Sequence, residues 1–405
     1  MLGERIRKLR KQKKLTLEAL AGEKLTKGML SLIENDKAQP SMESLAYIAE
    51  RLNVEVAELL GNANASELRN VMVQAEQLIN IDHEEDPNKY KKIIKLIEPF
   101  IDKVTKSYES ARLLELYSYA LYYEKIDGWQ TLLQRAADIF DELNVSSSRT
   151  KIAVFRSSIK FVEHRYEEAL DVFLKERKAV EEQHFYIDPL SLLELDYHES
   201  VLYFAVGNSE PALNVMERAI TLSKEKRIFY LIDDLYRLAA VHAMDDGNKE
   251  KQNYYLMKLK KYGEFADHEP SIHFYHLINL MMLISEEKQY TKALELIEEY
   301  LGEKMVHYET WLSAEKGKAL YYLGRYDEAF AVLEQVKVPE YLHHPYDLAM
   351  FYILESFKGL IQLVLGNNEA ALSYAKKGVQ LFETLPESAY KRFSIVTLEK
   401  IKKEF

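Results

Sequence analysis

The sequence has no cysteine among its 405 residues. Disulfides, thiolate nucleophiles and cysteine-ligated zinc are therefore excluded, and the composition suits a reducing cytoplasm. Long apolar runs are also lacking. The longest, such as residues 280–284, are far shorter than the roughly 20 residues that a membrane-spanning helix needs. We therefore expect a cytoplasmic protein that makes no contact with a membrane.

The sequence shows no motif of catalysis or cofactor binding. A glycine-rich phosphate loop, a nucleophile elbow and a convincing acid and base constellation are all missing. The local histidine groupings, His273 with His276 and His343 with His344, have no third ligand at metal spacing. We expect a protein that is not an enzyme and that has no cofactor and no metal site.

Residues 16–41 have the pattern of two short helices joined by a tight turn and followed by a third, capped helix. Thr16 and Thr26 each precede an apolar-periodic run, where a hydroxyl can accept hydrogen bonds from the free amides of a helix start. Helices this short and this close form a helix-turn-helix. The apolar residues whose spacing suits a five-helix bundle are Ile6, Leu9, Leu15, Leu20, Leu30, Ile33, Leu45, Ile48, Leu52, Val56 and Leu59.

Charge and helix position together predict a DNA-binding surface in residues 1–62. This segment has a net charge of +2 whereas the rest of the chain has −13, and seven of its cations lie between Arg5 and Lys14. In this fold the start of the third helix enters the major groove. The predicted DNA-binding residues are Lys27, Gly28 and Ser31 for base edges, Thr16, Lys37 and Gln39 for phosphates, and Thr26 at the helix start.

The same segment resembles the DNA-binding domains of phage repressors and Cro, the XRE family. The resemblance lies in Leu15-Thr16, Leu20-Ala21, Leu30-Ser31-x-Ile33-Glu34-Asn35 and Pro40-Ser41-x-x-x-Leu45. One departure is Leu17, because the family usually has a glutamine there that contacts the DNA backbone. The resemblance implies that the chain binds double-stranded DNA.

Beyond residue 66 the chain repeats a helix-pair pattern. The clearest unit is Gly317-x-x-Leu320-Tyr321-Tyr322-Leu323-Gly324-Arg325-Tyr326-Asp327-Glu328-Ala329-Phe330, which is similar to the tetratricopeptide pattern. The residues at which the second helix of each pair is expected to cross the first are Leu133, Ala169, Ala212, Gln252, Ala293, Ala329 and Ala371. They are 36 to 43 residues apart, longer than the usual repeat of about 34.

These patterns together predict an all-α protein with two domains. Residues 1–62 form a five-helix helix-turn-helix domain, residues 63–66 a linker, and residues 67–405 a right-handed tetratricopeptide superhelix of about eight or nine helix pairs. The helix over residues 389–403 is expected to cap the last pair.

The first helix of each pair lines the concave wall of such a superhelix, and such walls bind peptides. A mixture of acids, bases, an amide and aromatics suits a zwitterionic or mixed-sequence peptide, and Asn279 would bind backbone amides with its donor and its acceptor. The predicted peptide-binding residues are Tyr197, His198, Asp234, Arg237, Tyr275, Asn279, Glu315 and Lys318.

The order of the two domains resembles the RNPP group of peptide quorum-sensing regulators of Gram-positive bacteria, and the length is most similar to that of NprR-type members. The resemblance implies a cytoplasmic transcription regulator that senses a short signalling peptide, acts as a homodimer or tetramer, and binds an operator with an inverted repeat.

Two alternatives remain open at this point. The repeats of a Rap-like protein bind a response regulator and drain phosphate from a phosphorelay, for which Gln74 or Glu76 would position water. The other alternative is a regulator that uses its repeats only for dimerisation.

Overall fold

The computed structural model describes residues 2–56, 59, 65–302, 305 and 308–404. Throughout these ranges the regular structure is helical, with no β-strand. Contacts divide the chain into two compact units, one of residues 1–152 with 182–186 and the other of residues 153–181 with 187–405. Residues 63 and 64 of the predicted linker lie outside the described residues, and residues 65 and 66 already belong to a helix.

The N-terminal segment has four described helices: α1 (Leu2–Gln12), α2 (Leu17–Ala21), α3 (Lys27–Glu34) and α4 (Met42–Leu52). The two predicted caps are present. The hydroxyl of Thr16 accepts a hydrogen bond from the amide of Ala19 at 3.0 Å, and that of Thr26 accepts one from Met29 at 3.1 Å. Most of the fifth predicted helix falls on residues outside the described ranges.

The buried side chains of this segment agree with the predicted apolar pattern. Ile6 from α1, Leu20 from α2, Leu30 from α3 and Ile48 from α4 are all fully buried and pack in one cluster. A helix-turn-helix therefore forms because each short helix contributes one apolar stripe to a shared core.

The remaining helices follow one another in antiparallel pairs, with a 3₁₀ helix over Glu98–Lys103. The pairs are α5 (Ala65–Ile79) with α6 (Lys89–Ile97), α7 (Tyr108–Tyr123) with α8 (Trp129–Glu142), α9 (Ser146–Val162) with α10 (Tyr166–Gln183), α11 (Pro189–Ala205) with α12 (Ser209–Lys226), α13 (Ile232–Asp245) with α14 (Lys249–Ala266), α15 (Glu269–Ser285) with α16 (Tyr290–Gly302), α17 (Glu309–Tyr322) with α18 (Tyr326–Gln335), and α19 (Pro345–Val364) with α20 (Asn368–Leu381). The last described helix is α21 (Ala389–Lys403).

All seven predicted crossing residues lie near the start of a second helix and are buried, with at most 1% of their surface exposed. Five residues before each one, the chain has a positive φ in the turn between the helices. Glycine suits this conformation because it has no Cβ. The turn residues are Gly128, His164, Gly207, Gly247, Lys288, Gly324 and Gly366. The predicted fold class, an N-terminal helix-turn-helix followed by repeated helix pairs, is confirmed.

Within the second unit, helix α10 contacts the segment just before α19. The hydroxyl of Tyr166 donates a hydrogen bond to the backbone oxygen of His343 at 2.8 Å, across 177 residues of sequence. Phe161 packs against the same apolar cluster, which includes Leu342 and Leu348. This contact brings together parts of the array that are far apart in sequence.

None of the helices in the described ranges combines the length and the apolar character needed to cross a bilayer.

Candidate functional site

The exposed face at the start of α3 contains the residues predicted to read DNA. Lys27 and Gly28 are exposed, and Ser31 is half-buried one turn later. A Cβ built on Gly28 meets no atom within 4 Å. A glycine inside a helix is unfavourable, and no neighbour within the described residues requires it here. The surface beside Gly28 is therefore open to another molecule.

The ammonium of Lys27 is held by α2. Its Nζ donates a hydrogen bond to Glu18 Oε1 at 2.7 Å, and both side chains are exposed. The hydrogen bond from Lys27 lowers the pKa of Glu18 below its ordinary value. If Lys27 reads a base as predicted, it has to leave this carboxylate or move with it.

The residues predicted to bind phosphates surround this helix. Thr16, Lys37 and Gln39 are exposed. The hydroxyl oxygens of Thr16 and Thr26 accept the capping hydrogen bonds described above, but a hydroxyl also has one hydrogen to donate. A cap threonine can therefore bind a phosphate oxygen without losing its cap.

Two apolar residues of α3 belong to the same surface and were missed in the sequence. Met29 and Leu32 are 40% and 46% exposed, outside the core stripe of the helix. Apolar side chains in the major groove contact the methyl group of thymine. In the sequence, such residues can be recognised only as apolar residues on the polar side of a short helix. Helical periodicity gives a weak indication of them, because a helix of eight residues has few turns.

The basic run of α1 divides into structural and exposed cations. The guanidinium of Arg10 binds Glu34 through Nε at 2.6 Å and Nη2 at 2.8 Å, and donates to the backbone oxygen of Leu15 at 2.9 Å. Arg5 donates to the backbone oxygen of Leu59 at 3.0 Å. The exposed cations available to a polyanion are Arg7, Lys8, Lys11, Lys13 and Lys14.

The second unit has a cavity of about 980 Å³. Its walls come from the first helices of five successive pairs, α11, α13, α15, α17 and α19, together with the loop over residues 337–341. The repeat pattern predicts this arrangement, because first helices line the inner side of stacked helix pairs.

Arg237 on α13 is the central cation of this cavity. Its Nη2 lies 3.7 Å from Asp233 Oδ2 and 3.5 Å from Ser271 Oγ, and its Nη1 lies 3.7 Å from Asp234 Oδ1. Its Nε is buried and has no hydrogen-bond partner within the described residues. These distances are long for charge-assisted hydrogen bonds, so the guanidinium retains capacity to bind a carboxylate.

Acidic and imidazole groups share the cavity with Arg237. Burial raises the pKa of Asp347 to about 7, and burial together with nearby Asp233 raises the pKa of Asp234. Burial lowers the pKa of His344 to about 4, so its ring is uncharged at neutral pH. The cavity thus combines two cations, Arg237 and Lys337, with carboxylates that are poorly solvated.

Three of the eight predicted peptide-binding residues, Tyr197, Asp234 and Arg237, line the cavity. Their positions agree with the expectation that first helices line the inner wall. That this wall binds a peptide stays a prediction.

The other five predicted residues do not line the cavity. Glu315 and Lys318 are buried and form an ion pair with each other. Asn279 donates one amide hydrogen to the backbone oxygen of Tyr275 at 2.7 Å, within its own helix. The ring of Tyr275 lies under Lys260 at 5.2 Å, and His198 packs near Tyr197 and Phe173.

Several aromatic wall residues were not predicted to bind peptide. Phe274 and Trp311 line the cavity, as do Tyr308, Tyr341 and Tyr346. Aromatic residues are frequent throughout the repeats, so composition cannot distinguish the ones that line a cavity from those that pack between helices.

The residues of the phosphorelay alternative lie on α5. Gln74 is exposed, whereas Glu76 accepts a hydrogen bond from Arg112 Nε at 3.0 Å. Within the described ranges, no three or more histidine, aspartate and glutamate residues are placed to hold a metal ion together.

Both the helices and the sequence of the N-terminal segment identify it as a helix-turn-helix domain. Residues 3–65 match the family model described as a helix-turn-helix domain. The chain therefore contains a helix-turn-helix domain. A comparison with curated proteins gives no match.

Three solved structures are similar to this chain over about two thirds or more of its length. The chain is similar to the SHP pheromone receptor Rgg2 of Streptococcus dysgalactiae, with 16% identity, coverage of 68% of this chain and 98% of that chain, and a TM-score of 0.33. It is similar to ComR of S. thermophilus in complex with DNA and its signalling peptide ComS, with 18% identity, coverage of 68% and 97%, and a TM-score of 0.30. It is also similar to Bacillus thuringiensis PlcR in complex with the peptide PapR7 and DNA, with 16% identity, coverage of 100% and 98%, and a TM-score of 0.24.

Proposed function

We propose that the chain is a DNA-binding transcription regulator whose repeat domain senses a short intracellular signalling peptide. The observation that carries this proposal is the cavity of about 980 Å³ that five successive helix pairs line in a chain with a helix-turn-helix domain. Pockets for small molecules reach about 1,000 Å³ at most. A cavity at that limit, with charges of both signs, suits a ligand larger than a metabolite and with several polar groups.

The DNA half of the proposal assigns Lys27, Gly28 and Ser31 to base edges, with Met29 and Leu32 beside them. If Lys27 reads a base, Lys27→Ala should cost about 1–3 kcal/mol of binding free energy and relax specificity at one position. A loss of affinity that is equal on all sequences would make Lys27 a phosphate contact instead.

The oligomer is part of the proposal, because one small helix-turn-helix reads too few bases to select a site. We assign the chain to the RNPP type, close to NprR-type members, acting as a homodimer or tetramer on an inverted repeat. Half-site centres should then lie about one helical turn, or a multiple of it, apart. Light scattering of the chain with and without DNA tests this, and a monomeric mass in both cases contradicts it.

Peptide binding should control oligomerisation and operator binding. Coupling of about 1–3 kcal/mol would change DNA affinity by about 5- to 150-fold, and DNA must change peptide affinity by the same factor. The sign of this effect is an outcome of the measurement.

The test is calorimetry of the full chain with short peptides encoded beside its gene, with and without operator DNA. Arg237→Gln should weaken peptide binding, and the matched control Arg392→Gln, on the exposed face of α21, should not. If neither variant changes affinity, the cavity is not the peptide site. If peptide binds but DNA has no effect on it, sensing is not coupled to DNA binding and a response-regulator partner becomes the better hypothesis.

A further inference from the structure

Asp347 is a carboxylate in the cavity wall without a protein partner. It lies in the first turn of α19 and lines the cavity. Within the described residues its side chain forms no hydrogen bond and no ion pair. By contrast, Asp234 on α13 lies 3.7 Å from Arg237.

Asp347 is half-buried. A carboxylate that has lost part of its hydration without gaining a cation is unfavourable, because the lost hydration is not offset by another charge. The carboxylate of Asp347 influences the pKa of nearby tyrosine hydroxyls. Burial is the main cause that raises the pKa of Tyr197, Tyr308, Tyr346 and Tyr390, and the carboxylate of Asp347 adds a smaller contribution to each. These tyrosines supply no positive charge to Asp347.

The remaining ionisable side chains of the wall, apart from tyrosines, do not supply a partner either. They are Asp234, Arg237, His273, Lys337, Glu340 and His344. Arg237 contacts carboxylates on its own helix. None of these groups, Lys337 included, forms an ion pair with Asp347 within the described residues, so a ligand cation would complement this carboxylate.

We propose that Asp347 is the specificity-determining residue for a ligand ammonium group, and that Arg237 binds a carboxylate of the same ligand. The inference deepens the proposed function and rests on it, because it assumes that the cavity binds a peptide. It restricts that peptide to one with a free α-amine or a lysine that reaches α19, and with a free carboxylate that reaches α13.

The two sources of the ammonium can be separated with defined probes. One probe is a pool of short synthetic peptides made only of uncharged residues, so that the termini carry the charges, prepared free, N-acetylated or C-amidated. A second pool has an acetylated N-terminus and one lysine. Binding to the full chain is measured by native mass spectrometry and confirmed by calorimetry.

Blocking the ammonium should reduce binding to the wild-type chain by about tenfold or more, whereas it should have little effect on Asp347→Asn. C-amidation should reduce binding to the wild type but not to Arg237→Gln. The matched control is Asp327→Asn, an exposed acid in the first turn of α18 that does not line the cavity. Recovery of binding by the lysine pool would identify a side-chain ammonium as the source.

Proton release gives a readout that a merely structural role would not change. Because an ammonium favours the ionised carboxylate, binding below the Asp347 pKa of about 7 should release a proton from the wild type but not from Asp347→Asn. Calorimetry in buffers of different ionisation enthalpy measures it.

The outcomes separate the inference from the proposed function. If peptides bind the wild type and Asp347→Asn equally, and acetylation affects neither, the inference is wrong while peptide sensing stands. If no pool binds the wild type and the peptides encoded beside the gene also fail to bind, both fall.

Discussion

The ion pair between α1 and α3 provides a sharp test of how the helix-turn-helix is held together. The side chain of Arg10 is 11% exposed and that of Glu34 is 4% exposed, and two parallel hydrogen bonds join them. The hydrogen bond to Glu34 raises the pKa of Arg10. Since Glu34 ends the predicted recognition helix, this pair sets the position of that helix against α1.

Replacing Arg10 with alanine should destabilise this domain strongly. Removing one member of a buried pair costs about 3–5 kcal/mol, because the other charge stays buried and uncompensated. We expect the lower end, about 3 kcal/mol, because the pair lies near the domain surface and water can reach the freed carboxylate. A domain of this size has only about 3–5 kcal/mol in total, so the loss removes most of its stability.

Native-state hydrogen exchange of the full chain, followed by mass spectrometry, measures the effect without isolating the domain. Amides of α1 and α3 should exchange about 100-fold faster in Arg10→Ala. Arg7→Ala, which removes an exposed cation from the same helix, should change little. The double variant Arg10→Met with Glu34→Leu should recover most of the protection, because it removes both charges. Equal exchange in Arg10→Ala and Arg7→Ala would refute this reasoning.

Three further predictions follow from other parts of the molecule. Gly28→Ala should stabilise α3 by about 1 kcal/mol, seen as slower hydrogen exchange, because the new methyl enters open space; Gly28→Phe should keep the fold but lose sequence-specific DNA binding in a gel-shift assay. Tyr166→Phe removes the hydrogen bond to His343 and should cost about 1 kcal/mol in thermal denaturation, whereas Tyr186→Phe, at a 65% exposed residue, should not. The folded-state pKa of Asp347 is raised to about 7, from an unfolded value of about 3.9. The protonated carboxyl is therefore favoured in the folded state, and its contribution to stability is present below about pH 4 and lost as the pH rises to about 7. The free energy of unfolding should fall by up to about 4 kcal/mol over that pH range, and Asp347→Asn should remove this pH dependence.

Local patterns determined the elements of this fold. Thr16 and Thr26 begin helices because a cap depends on residues only two or three positions away. The repeat could be recognised for a related reason. A small residue at a helix crossing and a left-handed residue five positions earlier, as in Ala329 and Gly324, are constraints within one helix pair.

The partners of polar side chains were decided by tertiary structure. Glu315 and Lys318 satisfy each other, and Asn279 bonds to its own helix, so these three are not in the cavity wall. Helical spacing places a residue on one side of a helix to within a wide arc. It does not say whether a neighbouring helix covers that side, because helix rotation is set by the packing of both surfaces.

The candidate ligand site shows the same division. The sequence alone predicts that the first helices form the inner wall, and this prediction includes Tyr197, Asp234 and Arg237. Asp347 could be identified as a candidate only from the structure. It is a candidate because no side chain forms an ion pair or hydrogen bond with it within the described residues, and such a side chain could come from anywhere in the chain. The wall itself depends on contacts such as that between Tyr166 and His343, 177 residues apart. Contacts at such separation depend on the rotation accumulated over many helix pairs, which no local pattern specifies.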